Sequence, residues 1–177
     1  MYQLVNKDDL DEYKYVADSV KNTETWPQFV SEAQMLDVKN WLGDALLLEI
    51  VGQAQTSPSS LTAKNELLLN GGSYEYGGRN YHFQGLKAAI IYYAFGRFTN
   101  RSSVNYTAAG IVIKESDFSN PVSDKMVQRL ETEARLTAEA IRDEVVRFLN
   151  RKKDDYPLWR GCYNSQDRTR TFKVIGD

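Results

Sequence analysis

The stretch PQFVSEAQMLDVKNWLGDALLLEIV, residues Pro27 to Val51, is the best-defined part of this sequence. Its first part carries apolar residues near the three-to-four spacing of one helical face, at Phe29, Val30, Ala33, Leu36 and Val38. A second, more fully apolar run follows at Ala45, Leu46, Leu47, Leu48, Ile50 and Val51. Gly43 lies between them and permits a bend or a close approach. The pattern predicts two amphipathic helices that break at Gly43, which acts as a structural hinge.

The composition indicates one domain with enough apolar residues for a core. The chain has 177 residues, of which 42% are apolar and 26% are charged, which is the usual balance of a globular domain. Its 11 Tyr, 7 Phe and 3 Trp make it rich in aromatic residues. Tyrosine combines a large contact area with a polar group, so this content suits interfaces as well as cores.

Charge is distributed unevenly along the chain. Residues 1–60 carry 4 Lys and Arg against 10 Asp and Glu, a balance of −6, whereas residues 61–150 carry 11 against 10. Residues 151–177 carry 7 against 4, a balance of +3. Two interpretations stay open. Either the asymmetry reflects solvation alone, or acidic and basic surfaces of neighbouring copies meet head to tail, as the heterologous contacts of rings do.

Several sequence features favour a reducing cytosol as the place where the chain is made and used. A single Cys162 excludes an intrachain disulfide. The start, MYQLVNKDDLDEY, becomes acidic at once instead of continuing as a signal peptide. No apolar run approaches the roughly 20 residues that span a bilayer, so we expect no membrane partner.

Shorter elements are predicted on both sides of Pro27–Val51, which we call the opening stretch. An acidic helix precedes it, with apolar residues on one face at Leu10, Tyr13, Val16, Ala17 and Val20. Thr25 is a candidate N-cap before Trp26 and Pro27, because proline is favoured near the first helical position. A polar loop then leads to a short helix at about Ser60–Leu69.

The middle of the chain changes from helix to hairpin and back. In GGSYEYGGRNYHF, aromatic and polar residues alternate on each side of a Gly-Gly-Arg-Asn turn, which predicts a β-hairpin at Ser73–Phe83. The following helix, LKAAIIYYAFGRFT at Leu86–Thr99, is apolar nearly all round, so we expect it at the centre of the core. The arm Asn100–Asn120 is irregular, with GIVIKE as a strand or an ordered extended segment.

The longest predicted element is a C-terminal helix over Ser123–Lys153. Ser123 is its predicted N-cap, and a continuous apolar stripe runs through Val127, Leu130, Ala134, Ala138, Ile141, Val145, Phe148 and Leu149. At a rise of 1.5 Å per residue this helix is a rod of roughly 45 Å. The fold class predicted from these patterns is mainly α, a helical bundle with one long C-terminal helix, a small β-hairpin and extended arm and tail segments.

The C-terminal tail, Leu158–Asp177, is polar and rich in arginine, and it finishes in the strand-like TFKVI. It has too few apolar residues for a core of its own, so we expect it to dock on something else. Basic residues in and before the tail could also contact nucleic-acid phosphates, namely Arg151, Lys152, Lys153, Arg160, Arg168, Arg170 and Lys173. Protein docking is favoured, because the whole chain is acidic and no known DNA-reading motif is visible.

The sequence offers little to a catalytic mechanism. His82 is the only histidine, and it lies in the tyrosine-rich hairpin. Cys162 has no histidine near it in sequence that would activate a thiolate. The paired glycines at 71–72 and 77–78 do not match the spacing of a phosphate-binding loop. We therefore predict no catalytic residue, no cofactor and no metal, and a small hydrolase or transferase is the least favoured class.

Four blocks of the sequence, taken in order, resemble a known family. They are FVSEAQMLDVKNWLGDALLLEIV, LKAAIIYYAFGRFT, TAAGIVIKESDFSNPVSDK and FLNRKKDDYPLW. In this order they resemble the head–tail connector proteins of tailed bacteriophages, also called adaptor or ring proteins. The form most similar to this one is that of crAss-like and other Bacteroides-type phages. The resemblance covers roughly Leu10 to Trp159 and rests on packing motifs, without a catalytic signature.

The resemblance implies a structural virion protein at the head–tail interface, assembled in the host cytoplasm. Such proteins form a homo-oligomeric ring, commonly of twelve copies, under the portal protein. The ring extends the DNA channel, through which DNA passes non-specifically, and offers a docking surface to the next tail or ring protein. The alternative function is a DNA-contacting head-completion or packaging factor that uses the Arg-rich tail.

Applied to this chain, the resemblance makes residues 1–157 a helical connector domain and residues 158–177 a docking tail. The surfaces expected to matter are the long helix, the arm, the hairpin and the tail. Within them, the residues that we predict at protein interfaces are Tyr74, Tyr76, Tyr81, Arg160, Arg168, Arg170, Phe172 and Lys173. The hairpin is an addition to the minimal four-helix adaptor pattern.

Overall fold

The computed structural model describes residues 2–13, 26–56, 60–101, 104–107, 110–113 and 123–161. Its helices are α1 (Lys7–Tyr13), α2 (Trp26–Glu32), α3 (Lys39–Leu42), α4 (Asp44–Thr56), α5 (Ala63–Asn70), α6 (Gly85–Arg101) and α7 (Asp124–Arg151). A π-helical segment, Ala33–Val38, joins α2 to α3. Strands β1 (Gly72–Tyr76) and β2 (Arg79–Phe83) form one antiparallel hairpin, and β3 (Val104–Thr107) and β4 (Gly110–Ile113) form another. The predicted mainly α fold with a long C-terminal helix and a small hairpin is confirmed.

Helices α6 and α7 form the centre of the core and run antiparallel. Gly96 of α6 lies against Glu131 and Ala134 of α7, with 3.7 Å between its Cβ position and the Ala134 Cβ. Small residues at this crossing let the two backbones approach closely. Most of α6 is buried, at Gly85, Leu86, Ala88, Ala89, Ile90, Ile91, Tyr93, Ala94, Gly96 and Thr99. The predicted central position of this helix is therefore confirmed.

The first half of the opening stretch is a helix with a π-helical interruption. Phe29, Val30, Ala33 and Val38 are buried as the 3.6-residue period predicts, but Leu36 is 53% exposed. A π-helix closes its hydrogen bonds over five residues instead of four, so its side chains turn away from the predicted face. The prediction for Leu36 is wrong for this reason.

The same interruption turns a polar side chain inward. Gln34 is fully buried; its Oε1 accepts a hydrogen bond from the Leu4 backbone N–H at 2.8 Å, and its Nε2 donates to the Tyr2 carbonyl oxygen at 3.2 Å. These bonds satisfy a buried amide that would otherwise destabilise the core. Gln34 therefore fastens the N-terminal segment to the bundle.

Gly43 separates α3 from α4 at the predicted break. Its φ of +87° with ψ of 151° lies in a region that is essentially restricted to glycine. In α4 the side chains of Leu46, Leu47, Ile50 and Val51 are buried, whereas Ala45 is exposed and Leu48 is 60% exposed. The helix is thus amphipathic instead of buried on all sides, and the expectation of burial for Ala45 and Leu48 is wrong.

Salt bridges tie α6 to the N-terminal part of the chain. Arg97 of α6 donates two hydrogen bonds to Asp37, at 2.9 and 3.1 Å, and a third to Glu32 at 3.2 Å. Lys87, also on α6, bonds Asp9 of α1 at 2.8 Å. Because bidentate Arg–carboxylate pairs fix orientation as well as contributing energy, these contacts set how the opening stretch lies against the core.

The β1–β2 hairpin is confirmed, with a tighter turn than predicted. Only Gly77 and Gly78 form the turn, both at positive φ, while Arg79 and Asn80 belong to β2. At the base of the hairpin, Gly71 and Gly85 meet backbone to backbone. A Cβ at Gly85 would lie 2.3 Å from the Gly71 nitrogen, so only glycine fits there.

Helix α7 follows the predicted apolar stripe over most of its length. Ser123 is the N-cap, and its Oγ accepts from the Met126 backbone N–H at 3.4 Å. The stripe is buried at Ala134, Ala138, Ile141, Val145, Phe148 and Leu149. Its first two members depart from the prediction: Val127 is partly exposed and Leu130 is 39% exposed. Val127 lies level with Arg101, where α6 ends, so α6 covers it only in part; the exposure of Leu130 has no such explanation in the structure.

The arm between α6 and α7 contains more regular structure than predicted. Helix α6 continues to Arg101, and β3 and β4 pair from Val104↔Ile113 to Thr107↔Gly110. Of the alternatives left open for GIVIKE, its first part, Gly110–Ile113, is a strand. The predicted N-cap Thr25 and the predicted face residues Val16, Ala17 and Val20 lie outside the described residues.

Candidate protein-interaction surface

Arg151, at the end of α7, lies among three tyrosines of the β1–β2 hairpin. Its Nη1 donates a hydrogen bond to the Tyr74 hydroxyl at 2.9 Å. Its guanidinium carbon lies 3.9 Å from the centre of the Tyr81 ring and 5.5 Å from that of Tyr76. The hydrogen bond to Tyr74 raises the pKa of Arg151, so the cation is retained. The contact holds the hairpin to the long helix.

A stack of aromatic rings lies beneath this contact. Phe83 of β2 and Phe148 of α7 are stacked with ring centres 4.2 Å apart, and Tyr74 meets Phe148 edge to face at 4.9 Å. Tyr156, in the turn after α7, meets Phe148 at 5.6 Å. Its hydroxyl donates to the Lys64 carbonyl oxygen of α5 at 2.5 Å. The rings therefore connect the hairpin to the end of α7, and the Tyr156 hydroxyl connects them to α5.

An open groove of about 270 Å³ borders the hairpin on the β1 side. Leu67, Phe148 and Tyr156 give it an apolar wall, and Ser73 and Glu75 of β1 contribute its exposed margin. Charged groups also line it, at Lys64, Lys152 and Asp155. A groove of this size with an apolar wall and polar margin suits a few side chains of a bound peptide.

The predicted interface residues fall into three groups. Tyr74 is buried, so its ring serves the packing of this chain, whereas Tyr76 is 49% exposed and Tyr81 is partly exposed. Arg160 is exposed. The remaining predicted residues lie outside the described part of the chain: Arg168, Arg170, Phe172 and Lys173. The structure thus brings the three tyrosines together and leaves Tyr76 accessible.

The start of α7 exposes apolar side chains. Met126 is 44% exposed, and Leu130, one turn later, extends the same side of the helix. Leu136 is exposed on the side of α7 opposite the buried stripe, about a quarter turn from Met126 and Leu130. Elsewhere Leu36 and Leu48 are also exposed. Met126 and Leu130 thus expose apolar surface on neighbouring turns of the same helix side.

The titratable groups show no arrangement of catalytic residues in the described ranges. His82 is exposed, with its Nδ1 3.4 Å from the Ser73 hydroxyl. Within those ranges no three His, Cys, Asp or Glu side chains come together as a metal site, and Cys162 lies outside them. Burial between α6 and α7 raises the pKa of Tyr93 to about 12, although nearby Arg142 opposes the shift. Burial also raises the pKa of Tyr156.

The described part of the chain is thus a mainly helical domain that carries an Arg151–tyrosine contact and a groove beside β1 on its surface. Residues 38–169 match a family of unknown function, DUF6712, and the chain belongs to this family. No curated protein matches the chain, and no solved structure does. Of the helices that the structure describes, none is long and apolar enough to cross a membrane.

The groove was not predicted from the sequence, because its residues are far apart in the chain. Lys64, Glu75 and Lys152 are separated by 10 residues or more, and each looks like an ordinary surface charge. Arg151 was grouped with phosphate-contacting candidates, whereas the structure places it on Tyr81. The alternation of aromatic residues in the hairpin was the only local signal for a cation-binding face.

Proposed function

We propose that this chain is a structural virion protein that forms a ring at the portal vertex of a tailed bacteriophage. It joins the head to the tail and extends the DNA channel, acting by assembly and without chemistry of its own. The sequence resemblance to head–tail connectors supports this function. The exposed apolar side of α7 supports it further, because assembly requires a surface that another copy or another protein covers.

The observation that carries the proposal is the relation between α6 and α7. With 28 residues, α7 is about 42 Å long, whereas α6 with 17 residues is about 26 Å long. Since Gly96 lies level with Glu131 and Ala134, the first turn of α7 extends past the end of α6. Met126 lies in this region, and Leu130 lies one turn further along α7, beside the last turn of α6; both expose apolar surface. Contact with a neighbouring copy in a ring would bury it.

Electron microscopy of the full chain mixed with a portal protein from the same genome tests this function. We expect a closed ring of about a dozen copies bound to the portal. Leu130→Glu is expected to abolish the ring, because it places a charge in the proposed contact. Gln128→Glu is the matched control, since it adds the same charge on another side of α7 and should leave the ring intact.

Circular dichroism of both variants verifies that their helical content equals that of the parent chain. Leu130 is 39% exposed and Gln128 is exposed, so we expect both variants to remain folded. A parent chain that stays monomeric and ignores the portal would overturn the proposed function. Rings formed equally well by Leu130→Glu would instead exclude this side of α7 as the contact.

A further inference from the structure

Among the residues that the structure describes, no strand pairs with the outer edge of β1. The two-residue turn at Gly77 and Gly78 makes Tyr76↔Arg79 a hydrogen-bonded pair, and the pairs then alternate along the ladder. The backbone N–H and C=O groups of Ser73 and Glu75 therefore point away from β2. In the part of the chain described, neither residue makes a backbone hydrogen bond outside the hairpin. Such an edge is a template for an added strand.

The groove lies along this same edge. Ser73 and Glu75 both belong to its lining, and Leu67, Phe148 and Tyr156 form its apolar wall. A strand added beside β1 would place alternate side chains over that wall. The groove and the unpaired backbone groups thus lie along one edge, and together they fit an extended peptide.

We propose that the β1 edge and its groove bind residues 171–175, TFKVI, of a neighbouring copy as a third strand. These residues lie outside the described part of the chain, and their sequence carries the match. Phe172 and Val174 share one face of a strand, and Lys173 lies on the other. On β1, Tyr74 faces Phe148, whereas Glu75 is exposed. The apolar pair therefore fits the groove wall, and Lys173 fits Glu75 as an opposite-charge pair.

The spacing of the tail is compatible with a contact between copies. Nine residues, 162–170, separate Gly161 from Thr171, and they span up to ~30 Å when extended. The inference rests on the proposed ring, in which each copy offers two different surfaces to its neighbours. Adjacent copies also hold tail and groove at an effective concentration of about millimolar. Glu75 and Lys173 would then form one charge pair between neighbouring copies, in a groove that Lys64, Lys152 and Asp155 also line.

Disulfide trapping in full-length chains tests the contact. Two single variants, Glu75→Cys and Lys173→Cys, each also carrying Cys162→Ser, are mixed in equal amounts and oxidised at the concentration at which the parent chain forms rings. We expect a covalent dimer, because paired residues of adjacent strands lie within disulfide distance. Replacing Glu75→Cys by Asn80→Cys, on the opposite edge of the hairpin, is the matched control and should give none.

Each other outcome of this experiment overturns the inference. A variant that carries both Glu75→Cys and Lys173→Cys is oxidised in parallel. If it forms a crosslink within one chain while the mixture forms none, the tail binds its own groove. Absence of any crosslink, or equal crosslinking with Asn80→Cys, would show that the tail does not dock at this edge.

A pair of proline substitutions tests the backbone pairing itself. Proline is tolerated in an edge strand where the lost N–H faces outward, as it does at Glu75 and at its partner Asn80. Glu75→Pro should weaken association with a synthetic peptide of residues 168–177 by at least about fivefold, because it removes one backbone hydrogen bond and also the carboxylate that pairs with Lys173. Asn80→Pro should leave the affinity unchanged. Equal effects of the two substitutions would overturn the β1-edge assignment.

The docking site and the proposed function can fail separately. If the parent chain forms rings on the portal but the Glu75→Cys and Lys173→Cys variants form no crosslink, the ring is retained and the docking site is wrong. If no ring forms, the function is wrong, and the peptide measurement still decides whether the groove binds the tail segment.

Discussion

At the scale of single residues, two glycines with similar φ angles have different reasons to be glycine. At Gly43, φ is +87° and a Cβ would meet no atom within 4 Å. At Gly85, φ is +83° and a Cβ would overlap the backbone of Asn70 and Gly71. Backbone strain alone therefore restricts position 43, whereas position 85 is restricted by both strain and space.

We expect Gly43→Ala to lower the free energy of unfolding by about 1–3 kcal/mol, the cost of a strained backbone conformation. Gly85→Ala should cost more, about 4 kcal/mol or beyond, because two backbone segments must also separate. Urea unfolding followed by circular dichroism measures both. Equal destabilisation by the two substitutions would contradict the finding that a Cβ at position 43 meets no other atom within 4 Å.

Tyr93 makes stability sensitive to alkaline pH. Burial raises its pKa from 10.0 to about 12, so the unfolded chain loses the phenolic proton before the folded chain does. The contribution of Tyr93 to the free energy of unfolding is therefore fully present below pH 10 and decreases as the pH rises from 10 towards 12. Thermal melts between pH 8 and 12 should show this decrease, and Tyr93→Phe should reduce it. An unchanged pH profile in Tyr93→Phe would refute the assignment.

At the scale of elements, the hairpin is held to α7 by a cation and by stacked rings. We expect Arg151→Met to accelerate amide hydrogen exchange in residues 72–83, because it removes the Tyr74 hydrogen bond and the contact with Tyr81. Arg147→Met, one turn earlier and exposed, is the control and should leave exchange in the hairpin unchanged. Equal exchange in all three proteins would mean that the Phe83–Phe148 stack alone fixes the hairpin.

The π-helical segment shows where periodicity fails as a predictor at this scale. A wider turn over Ala33–Val38 changes which residues face the core, turning Gln34 inward and Leu36 outward. The sequence AQMLDV carries no local pattern that predicts the π-helix. We attribute the π-helix to contacts with residues outside the segment. Here those contacts include the Leu4 backbone and the ion pair between Arg97 and Asp37.

At the scale of the whole molecule, salt dependence separates a connector from a DNA-contacting factor. The tail carries Arg168, Arg170 and Lys173, which could neutralise three phosphates and give a slope of log affinity against log salt of roughly −3. We expect duplex DNA binding that is weak and unaffected by removal of residues 162–177. A slope near −3 that disappears on this deletion would instead support the DNA-contacting alternative.

The sequence by itself determined the elements whose signals are local. The period of α7, its Ser123 cap, the glycine turn of the hairpin and the break at Gly43 all follow from neighbouring residues. Only the tertiary structure decided how those elements meet. The stacking of Arg151 on Tyr81, the groove beside β1 and the exposure of Leu130 each depend on residues tens of positions apart. Sequence periodicity is set by the geometry of one helix or strand, whereas these contacts depend on where each element ends relative to its neighbour.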